Sequence, residues 1–383
     1  MKRPMGIRFE VANFRSLRKV DWSPDGVSVL VGPNGSGKST LLDMLDFLRI
    51  AFQANLPKAI EHSGGTAFLK NLHAAPGETI AFAVTLGKYR WRLEFGVRGA
   101  NLQGEELLWS RRKVILAEPT EPFFWFRRKK LERTDRLVLR TVADLRLKGY
   151  PEQLVDALTN FRVYPAYQLE RLRSGGSPYS SDVQLEPSGQ NAFTVLRNWR
   201  DKRAYRRAYD FVWKEMCGAF PGIADDLEFD PGGQANHLKL VLAEHVTSIP
   251  AAFASSGWLT GLLHLMAVAG AAPGSVIAFD EFENALHPYA VRSLVRGMRE
   301  WSENTGLTVI LAGHSSALLD EFRDDPGRVF VMEPGQPSMP VRLTDYRNPE
   351  WLRHFSLGEL YRHEDFGGPK APLTNGKPAI SAS

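Results

Sequence analysis

The chain has 383 residues, of which 43% are hydrophobic, and its formal net charge is +5. This is enough apolar material for one large domain or two ordinary ones, so the fold needs no covalent cross-links. The single cysteine, Cys217, excludes an intrachain disulfide and any zinc site built on cysteine pairs, and it favours a reducing cytoplasm.

Two features argue against secretion and against a membrane span. The basic start, 1–8, is followed by charged and amide residues in 9–13, which interrupt any signal-peptide core. The longest apolar stretch, 259–273, contains His264 and two glycines and is too short to cross a bilayer of roughly 30 Å. We therefore expect a cytoplasmic protein with no membrane partner.

The first elements are two strands and a helix, with a glycine-rich turn before the helix. Apolar periodicity predicts strands over 7–14 and 27–31 and a helix over 40–52. The turn between the second strand and the helix has the pattern G-x-x-x-x-G-K-S and comprises Gly32, Pro33, Asn34, Gly35, Ser36, Gly37, Lys38, Ser39 and Thr40. Strand, turn and helix in this order predict a nucleotide-binding P-loop.

Each part of this motif has a chemical reason. Successive backbone N–H groups of the turn point at phosphates, and the dipole of the following helix favours negative charge. Lys38 is expected to reach the β- and γ-phosphates of ATP, and the Ser39 hydroxyl to bind Mg²⁺. Thr40 directly follows Ser39, the last residue of the pattern.

The next part of the chain is predicted to be strand-rich and basic. Alternating segments at 79–86, 89–97 and 106–116 predict an antiparallel sheet. The segment 111–148 holds twelve Lys or Arg against five Asp or Glu. It either binds DNA or RNA phosphates or forms a solvated face, and the sequence favours neither. The four aromatic residues 123–126 are expected to pack into a core rather than to stack on bases.

From Pro151 onward the apolar spacing becomes helical. Helices are predicted over 151–160, 191–200 and 205–220, which together indicate a helical lobe. The segment 174–181 is rich in Ser, Gly and Pro and is predicted to be a flexible loop.

After Gly274 the pattern returns to alternating strands and helices. Strands are predicted over 275–279 and 308–312, with a helix over 290–303 between them, as a parallel sheet requires. Both strands are continuous apolar runs, which indicates a sheet that is covered on both faces.

Three polar residues follow these two strands and complete a predicted ATPase site. Asp280 and Glu281 end the first strand in a Walker B arrangement. Because ligands bind at the carboxyl ends of parallel strands, Asp280 is expected beside Ser39 and its Mg²⁺. Glu281 is expected to polarise the attacking water as a general base. His314, which follows the second strand, is expected to hydrogen-bond the γ-phosphate.

Four segments resemble an ABC-type ATPase of the RecF, SMC and OLD-like branch. They are the asparagine-containing P-loop, the sequence DEFENALHP at 280–288, Gly313-His314-Ser315, and the opening sequence NFRSL at 13–17. The resemblance implies an α/β fold: an ABC-type P-loop ATPase head with a mixed sheet and an inserted helical lobe. The mixed sheet would combine an antiparallel N-terminal part with a parallel core. The resemblance also implies that Arg15 takes part in nucleotide binding.

The resemblance implies a domain organisation as well. The first part of the ATPase lobe would comprise 1–165, the helical lobe 166–270, and the second part of the ATPase lobe 271–366. The remaining segment, 367–383, has almost no core-forming residue and is expected to be a disordered tail.

In that family two ATPase heads sandwich two nucleotides, and a signature motif of the opposite subunit completes each site. The resemblance assigns this motif to 254–258, so Ser255 and the amide of Gly257 would contact the γ-phosphate bound by the partner of a homodimer. The motif is degenerate at Ser256 and Trp258.

Two further positions relate to the family pattern. Phe282 stands where many ABC proteins have proline, which bears on the geometry of the loop after Glu281. Gln168 is a candidate for the Q-loop glutamine, although many glutamines in such loops are only solvated.

Three functions are compatible with these motifs. The first is an ATPase whose ATP-driven dimerisation regulates a DNA-directed or nuclease partner, as in phage-defence modules such as the Septu type. OLD nucleases carry a Toprim domain after the ATPase, but only about seventy residues follow His314, so we expect none here. The second is a RecF-like DNA-repair clamp or loader, which the basic segment 111–148 favours. The third is a transporter ATPase subunit, which the degenerate signature and Phe282 disfavour.

Overall fold

The architecture is that of a computed structural model. It describes residues 6–96, 102–110, 112–117, 121–233, 235–242, 247–333, 339–352, 354–363 and 366–367. Of the predicted tail, only Gly367 belongs to these residues. Arg111 and residues 118–120 of the basic segment also lie outside them.

Six of the strands follow one another within residues 80–132, and strands and helices alternate more regularly after them. In chain order the strands are β1 (Ile7–Phe14), β2 (Leu17–Trp22), β3 (Val27–Val31), β4 (Ile80–Leu86), β5 (Tyr89–Phe95), β6 (Leu102–Trp109), β7 (Arg112–Ala117), β8 (Phe123–Phe126), β9 (Lys129–Glu132), β10 (Arg162–Tyr164), β11 (Ser177–Pro178), β12 (Asp226–Gly232), β13 (Ala235–Val241), β14 (Ser248–Pro250), β15 (Val276–Phe279), β16 (Thr308–Ala312), β17 (Val329–Val331) and β18 (Val341–Arg342).

The helices range from one turn to five turns in length. They are α1 (Lys38–Gln53), α2 (Leu56–His62), α3 (Val138–Asp144), α4 (Glu152–Thr159), α5 (Leu169–Gly175), α6 (Ala192–Asp201), α7 (Arg206–Ala219), α8 (Ser256–Ala269), α9 (Pro288–Thr305), α10 (Ser316–Asp320), α11 (Leu343–Tyr346), α12 (Pro349–Leu352) and α13 (Leu357–Arg362). Within the described ranges, no helix combines the length and the hydropathy that a transmembrane span requires.

The strands form three sheets. An antiparallel sheet has the order β2-β1-β4-β5-β6-β7-β8-β9. The central sheet has the order β10-β15-β16-β3-β17-β18, and its neighbouring strands are parallel except for the last pair. A small antiparallel sheet contains β11, β13, β12 and β14. The predicted α/β class, with an antiparallel sheet beside a parallel core sheet, is confirmed.

The central sheet is covered on both faces, as its continuous apolar strands predicted. In β3, Val29 packs into a core shared with α6 to α9, whereas Leu30 faces a second core. That second core lies between the central sheet, α1 and the antiparallel sheet. Successive residues of a strand point to opposite faces, so a strand buried on both faces has no polar alternation.

Two sequence predictions about strands were wrong. The segment 106–116 was predicted to be one strand, but it spans β6 and β7, which pair as an antiparallel hairpin. The turn contains Ser110 at φ 59°, and neither Gly nor Pro marks it. In addition, the predicted loop 174–181 contains β11, which pairs with β13 in a sheet that the helical periodicity did not indicate.

Candidate functional site

The predicted motifs meet at one edge of the central sheet. Strands β15, β16 and β3 are adjacent and parallel, so their carboxyl ends lie side by side. The P-loop follows β3, Asp280 follows β15, and Gly313 and His314 follow β16. The carboxyl edge of a parallel sheet is where such folds bind ligands. Segments that are more than 240 residues apart in the sequence therefore share one site.

Two glycines of the P-loop are required by its geometry. A Cβ atom on Gly32 would lie 2.2 Å from the carbonyl oxygen of Met332, so no larger residue fits there. Gly37 precedes α1 with φ 99°, a left-handed conformation that glycine adopts without strain. Both constraints fix the backbone of the turn that is predicted to bind phosphate through its N–H groups.

Lys38 is buried and folded back onto the loop. Its Nζ donates to the carbonyl oxygens of Gly32 at 2.7 Å and Pro33 at 3.2 Å. Burial lowers the pKa of Lys38, and the nearby carboxylates of Asp280, Glu283 and Glu281 oppose that shift. Burial outweighs the acidic groups, so the pKa of Lys38 is lowered overall.

The residues at this edge surround a cavity of about 320 Å³. The lining residues come from the P-loop, the acidic pair, the turn after β16 and one residue of the turn after β1, namely Ser16, Asn34, Gly35, Gly37, Lys38, Ser39, Thr40, Asp280, Glu281, Gly313 and His314. Most of the nucleotide-site residues predicted from sequence are therefore brought together. Their individual roles remain predictions.

The oxygen donors in this cavity fit a magnesium ion. Ser39 and Asp280 both line it and supply a hydroxyl and a carboxylate, which are hard ligands of the kind Mg²⁺ prefers. The hydroxyl of Ser36, within the phosphate-binding turn, is buried and has no protein partner among the described residues. Those residues also contain no cluster of three His, Cys, Asp or Glu side chains that could hold a metal ion. A nucleotide and water would have to supply the remaining ligands.

Glu281 is exposed in the cavity and has a left-handed backbone with φ 49°. Its carboxylate accepts a short hydrogen bond from the side-chain amide of Asn284. The next residue, Phe282, donates its backbone N–H to the carbonyl oxygen of Ala312 at 3.0 Å. A proline could not make this bond, so the departure of Phe282 from the family pattern has a structural role.

His314 is held by two residues that the sequence analysis did not select. Its backbone N–H donates a short hydrogen bond to Glu283. Its Nδ1 lies 2.9 Å from the hydroxyl of Tyr361 on α13. Burial and the charge of Lys38 lower the pKa of His314, against the opposing effect of the acidic residues. The imidazole is therefore mainly neutral at pH 7, and Nε2 is the ring nitrogen left for a phosphate.

Nothing in the sequence pointed to Tyr361, whereas Glu283 lies within the family motif at 280–288. The carboxylate of Glu283 also explains Gly313, because a Cβ atom on that glycine would lie 2.0 Å from Oε2 of Glu283. A side chain at position 313 and this position of the carboxylate are mutually exclusive.

Arg15 does not line the cavity. Its guanidinium pairs with Asp43 on α1 and donates to the carbonyl oxygen of Ser63 at 3.1 Å. The next residue, Ser16, lines the cavity instead and donates to the hydroxyl of Thr40 at 3.1 Å. The involvement of Arg15 in nucleotide binding stays a prediction.

The segment proposed as the signature motif lies at the start of α8. Ser255 caps this helix by accepting from the backbone N–H of Trp258 at 3.1 Å. A Cβ atom on Gly257 would lie 2.5 Å from the carbonyl oxygen of Ala285. Neither Ser255 nor Gly257 lines the cavity of its own chain. Their contact with a partner's nucleotide stays a prediction.

Gln168, the Q-loop candidate, precedes α5 and also lies outside the lining of the cavity. Its side-chain oxygen accepts a short hydrogen bond from Gln190, and its backbone N–H donates to Ser188 at 2.9 Å. Its assignment therefore stays a prediction.

Within the basic segment, β8 and β9 form a hairpin at the edge of the antiparallel sheet. Residues 127–130 are all exposed at the turn between β8 and β9. Phe124 and Phe126 are buried, as expected, but Trp125 is 46% exposed. The expectation of a core position was therefore wrong for Trp125, because alternate residues of a strand point to opposite faces and only the face of β8 with Phe124 and Phe126 is buried.

The fold and the cavity define a class of protein: a P-loop ATPase of the ABC type. Within this class, the family described as "AAA domain, putative AbiEii toxin, Type IV TA system" matches residues 27–320. The chain belongs to this family. No curated protein matches the sequence.

Solved structures of SMC heads are similar in fold. An SMC head bound to the C-terminal winged-helix domain of ScpA is 13% identical with a TM-score of 0.50, over 90% of this chain and 100% of that one. The head domain from Thermotoga maritima is 12% identical with a TM-score of 0.44, over 84% of this chain and 92% of that one. The head from Pyrococcus furiosus, bound to the C-terminal domain of ScpA, is 13% identical with a TM-score of 0.46, over 90% of this chain and 98% of that one.

Proposed function

We propose that this chain binds ATP with Mg²⁺ in the cavity of about 320 Å³, hydrolyses it, and couples the cycle to closure of a homodimer. One observation supports this above all: the P-loop, Asp280, Glu281 and His314 line the same cavity although they come from three separate strands. These are the groups that phosphoryl transfer to water requires, namely phosphate binding, metal binding and a base.

Each group in the cavity has a proposed role in hydrolysis. Lys38 and the backbone N–H groups of the turn neutralise and orient the phosphates. Ser39 and Asp280 would hold Mg²⁺, and the ion when bound would offset the negative charge of the phosphates. Glu281 accepts a proton from the attacking water, and Asn284 orients its carboxylate.

His314 would donate a hydrogen bond to a phosphate oxygen, and its tautomer determines which ring nitrogen donates. A neutral imidazole carries one proton, and a phosphate oxygen can only accept, so Nε2 carries that proton. Nδ1 then accepts from the Tyr361 hydroxyl, which agrees with their 2.9 Å separation.

The position of the segment 254–258 is the basis for proposing a homodimer. Ser255 and Gly257 open a helix of 14 residues, and a helix N-terminus favours an anion. Because they lie outside the cavity of their own chain, we propose that they complete the site of a second copy. We propose further that the ATP-closed homodimer regulates a nuclease or DNA-directed partner in the cytoplasm. The setting would be a phage-defence module such as the Septu type. Mass spectrometry of proteins that co-purify with the chain, with and without ATP, tests for that partner.

The ATPase proposal is tested by nucleotide affinity and turnover in three proteins. The unaltered chain should hydrolyse ATP with Mg²⁺ and stop when EDTA removes the ion. Lys38→Ala should lose affinity, because the phosphate charge is no longer compensated. Glu281→Gln should bind ATP normally, lose at least about 100-fold in kcat, and accumulate as a dimer in size-exclusion chromatography with ATP. Unchanged affinity in Lys38→Ala, or unchanged kcat in Glu281→Gln, would contradict the assignment.

The exposed hairpin supports a second candidate, a RecF-like clamp or loader whose nucleotide state shapes a DNA-binding surface. Lys129 and Lys130 are exposed on the edge strand β9, where Lys130 stands opposite the exposed Trp125 and Lys129 stands opposite Phe126. Lysines bind backbone phosphates, and an indole stacks on bases. Replacing both lysines with alanine should weaken binding of a DNA duplex and reduce its salt dependence, whereas Lys202→Ala, at an exposed position outside the segment, should not. An unaltered chain with no affinity for DNA at low salt would exclude this candidate.

A further inference from the structure

A buried histidine contacts the loop that carries Glu281 from outside the cavity. His264 lies on α8 and is 4% exposed. Its Nε2 is 3.0 Å from the carbonyl oxygen of Phe282, and its Nδ1 is 2.9 Å from the hydroxyl of Tyr167. Both ring nitrogens therefore have partners, and the partners lie on two different segments of the chain.

The directions of these two hydrogen bonds are determined by the partners. A carbonyl oxygen can only accept, so Nε2 of His264 carries a proton and donates to Phe282. Burial lowers the pKa of His264 to about 3, so the ring is neutral and Nδ1 is an acceptor at pH 7. The hydroxyl of Tyr167 must then donate to it. The result is a directed hydrogen-bond chain from Tyr167 through His264 to Phe282.

Phe282 is fixed on both sides of its backbone. Its N–H donates to Ala312 on β16, and its carbonyl accepts from His264. Its buried ring also stacks on the imidazole, with ring centroids 4.7 Å apart and planes 20° apart. The residue before it, Glu281, has φ 49°, a conformation that costs a non-glycine residue free energy and persists only when its surroundings impose it. The fixed Phe282 supplies one such constraint, beside the two hydrogen bonds that Asn284 donates to the side chain and the backbone carbonyl of Glu281.

The same helix meets the loop at a second point. The close approach of Gly257 to the carbonyl oxygen of Ala285, which itself has φ 64°, places the first turn of α8 against the end of the loop. Thus α8, which begins next to Ser255, holds the loop after Glu281 through one backbone contact and one hydrogen bond.

We propose that His264 and Tyr167 are positioning residues for ATP hydrolysis: they hold the carbonyl of Phe282 and thereby aim the carboxylate of Glu281 at the attacking water. The inference rests on the proposed function and adds residues to it that lie outside the cavity. It also links α8, the helix of the signature segment, to Glu281 within one chain.

A histidine that only fills the core would behave differently. It would tolerate loss of the Tyr167 hydroxyl, because Tyr167→Phe keeps the ring and its packing. Its replacement would lower stability but leave the kcat of the protein that remains folded unchanged. The kinetic parameters therefore distinguish positioning from packing.

The test measures kcat, KM for ATP, nucleotide affinity and Tm in Tyr167→Phe, His264→Leu and His264→Gln. Tyr167→Phe should lower the kcat of the folded protein about fivefold with KM unchanged, which corresponds to one neutral hydrogen bond. Its Tm should fall by a few degrees, because Nδ1 of the buried His264 loses its donor, so kcat is measured well below the Tm of every variant. His264→Leu should lower kcat at least about tenfold, because the carbonyl of Phe282 loses its donor. His264→Gln, whose amide can both donate to Phe282 and accept from Tyr167, should restore kcat to within about threefold of the unaltered chain. The control Tyr179→Phe removes an exposed hydroxyl and should have no effect.

Double variants sharpen the test. In the Glu281→Gln background, Tyr167→Phe should cause no further loss, because the carboxylate that it helps to aim is already gone. Additive losses would overturn the proposal, as would unaltered kcat in Tyr167→Phe. If His264→Leu does not fold, the Tyr167→Phe results decide alone. Full kcat in Tyr167→Phe beside an inactive Glu281→Gln would refute positioning and leave the ATPase proposal intact, whereas an unaltered chain without turnover would overturn both.

Discussion

The hydroxyl of Tyr361 lies 2.9 Å from Nδ1 of His314, although the two residues are 47 positions apart. A short helix near the end of the described chain thus reaches the histidine that follows β16. The same region approaches the P-loop as well, because Gly367 lies beside Gly32 and its N–H donates to Glu333 at 2.6 Å. The segment after α12 therefore packs against the candidate site, at His314 and at the P-loop.

Removing this hydroxyl should impair turnover without impairing binding. In Tyr361→Phe the imidazole of His314 loses the bond that orients it, and we expect kcat to fall about fivefold with ATP affinity unchanged. Steady-state kinetics and nucleotide titration measure the two quantities separately. Tyr179→Phe serves as the control. A variant with unaltered kcat would show that the hydroxyl does not orient the ring during hydrolysis.

Position 313 should not tolerate a methyl group. In Gly313→Ala the new Cβ atom would lie 2.0 Å from Oε2 of Glu283, so the carboxylate must move and release the N–H of His314. We expect kcat to fall at least about tenfold, since a hydrogen bond to a carboxylate is worth about 1.5–3 kcal/mol. Gly175→Ala is a matched control, because a Cβ atom there meets nothing within 4 Å. Equal activity of the two variants would contradict this packing.

Glu105 should be important for stability rather than for catalysis. Its buried carboxylate accepts from the indole N–H of Trp91 at 2.9 Å, from the backbone N–H of Leu139 at 2.8 Å and from that of Val138, so it joins β6 to the start of α3. Glu105→Ala leaves these donors buried without a partner and should cost about 3 kcal/mol in the free energy of unfolding.

Chemical denaturation measures this cost, with Glu106→Ala as the control. Glu106 is adjacent in sequence but pairs with the exposed Lys113, so its loss should cost less than about 1 kcal/mol. Similar costs for the two variants would show that the bonds of Glu105 do not stabilise the fold.

Stability should fall in mild acid because of His264. Its pKa is about 3 in the folded chain against an ordinary value of 6.5, and burial is the main cause. Between these values the unfolded chain binds the additional proton, so stability is fully present above pH 6.5 and is lost as the pH falls. The loss should be about 1.4 kcal/mol per pH unit below 6.5.

Denaturation at pH 7.5 and pH 5.5 checks this sign. The unaltered chain should lose about 1.4 kcal/mol more than His264→Gln over this interval, because glutamine does not titrate. The other groups that titrate in this interval are common to both proteins and cancel in the comparison. The nearest polar groups to the ring, the Tyr167 hydroxyl and the Phe282 carbonyl, carry no charge in this range. An equal pH dependence of the two proteins would refute the assignment.

The parts of the site that a contiguous motif encodes could be predicted from sequence. The P-loop and the Asp280–Glu281 pair depend on local backbone geometry and on the order of strand, turn and helix, and both are visible along the chain. Their meeting could also be predicted, because parallel strands end at a common edge. Arg15, by contrast, was selected through resemblance, and its salt bridge with Asp43 became visible only once α1 was folded.

Contacts between distant segments could not be predicted. Tyr167 and His264 are 97 positions apart, and no periodicity or motif links a tyrosine after β10 to a histidine inside an apolar helix. Their pairing depends on how α8 packs against the central sheet, which is a property of the whole core. The exposure of Trp125 has a similar origin, since an aromatic run indicates a strand but not which of its faces is covered.

The sequence by itself determined the chemistry that we propose for this protein: a turn expected to bind phosphate, a pair of carboxylates and a histidine, each placed at the end of an apolar strand. These features depend on local backbone conformation, which short stretches of residues specify. Only the tertiary structure decided which groups would support that chemistry, because the contacts of Glu283, Tyr361 and the Tyr167–His264 pair form only when separate elements pack together.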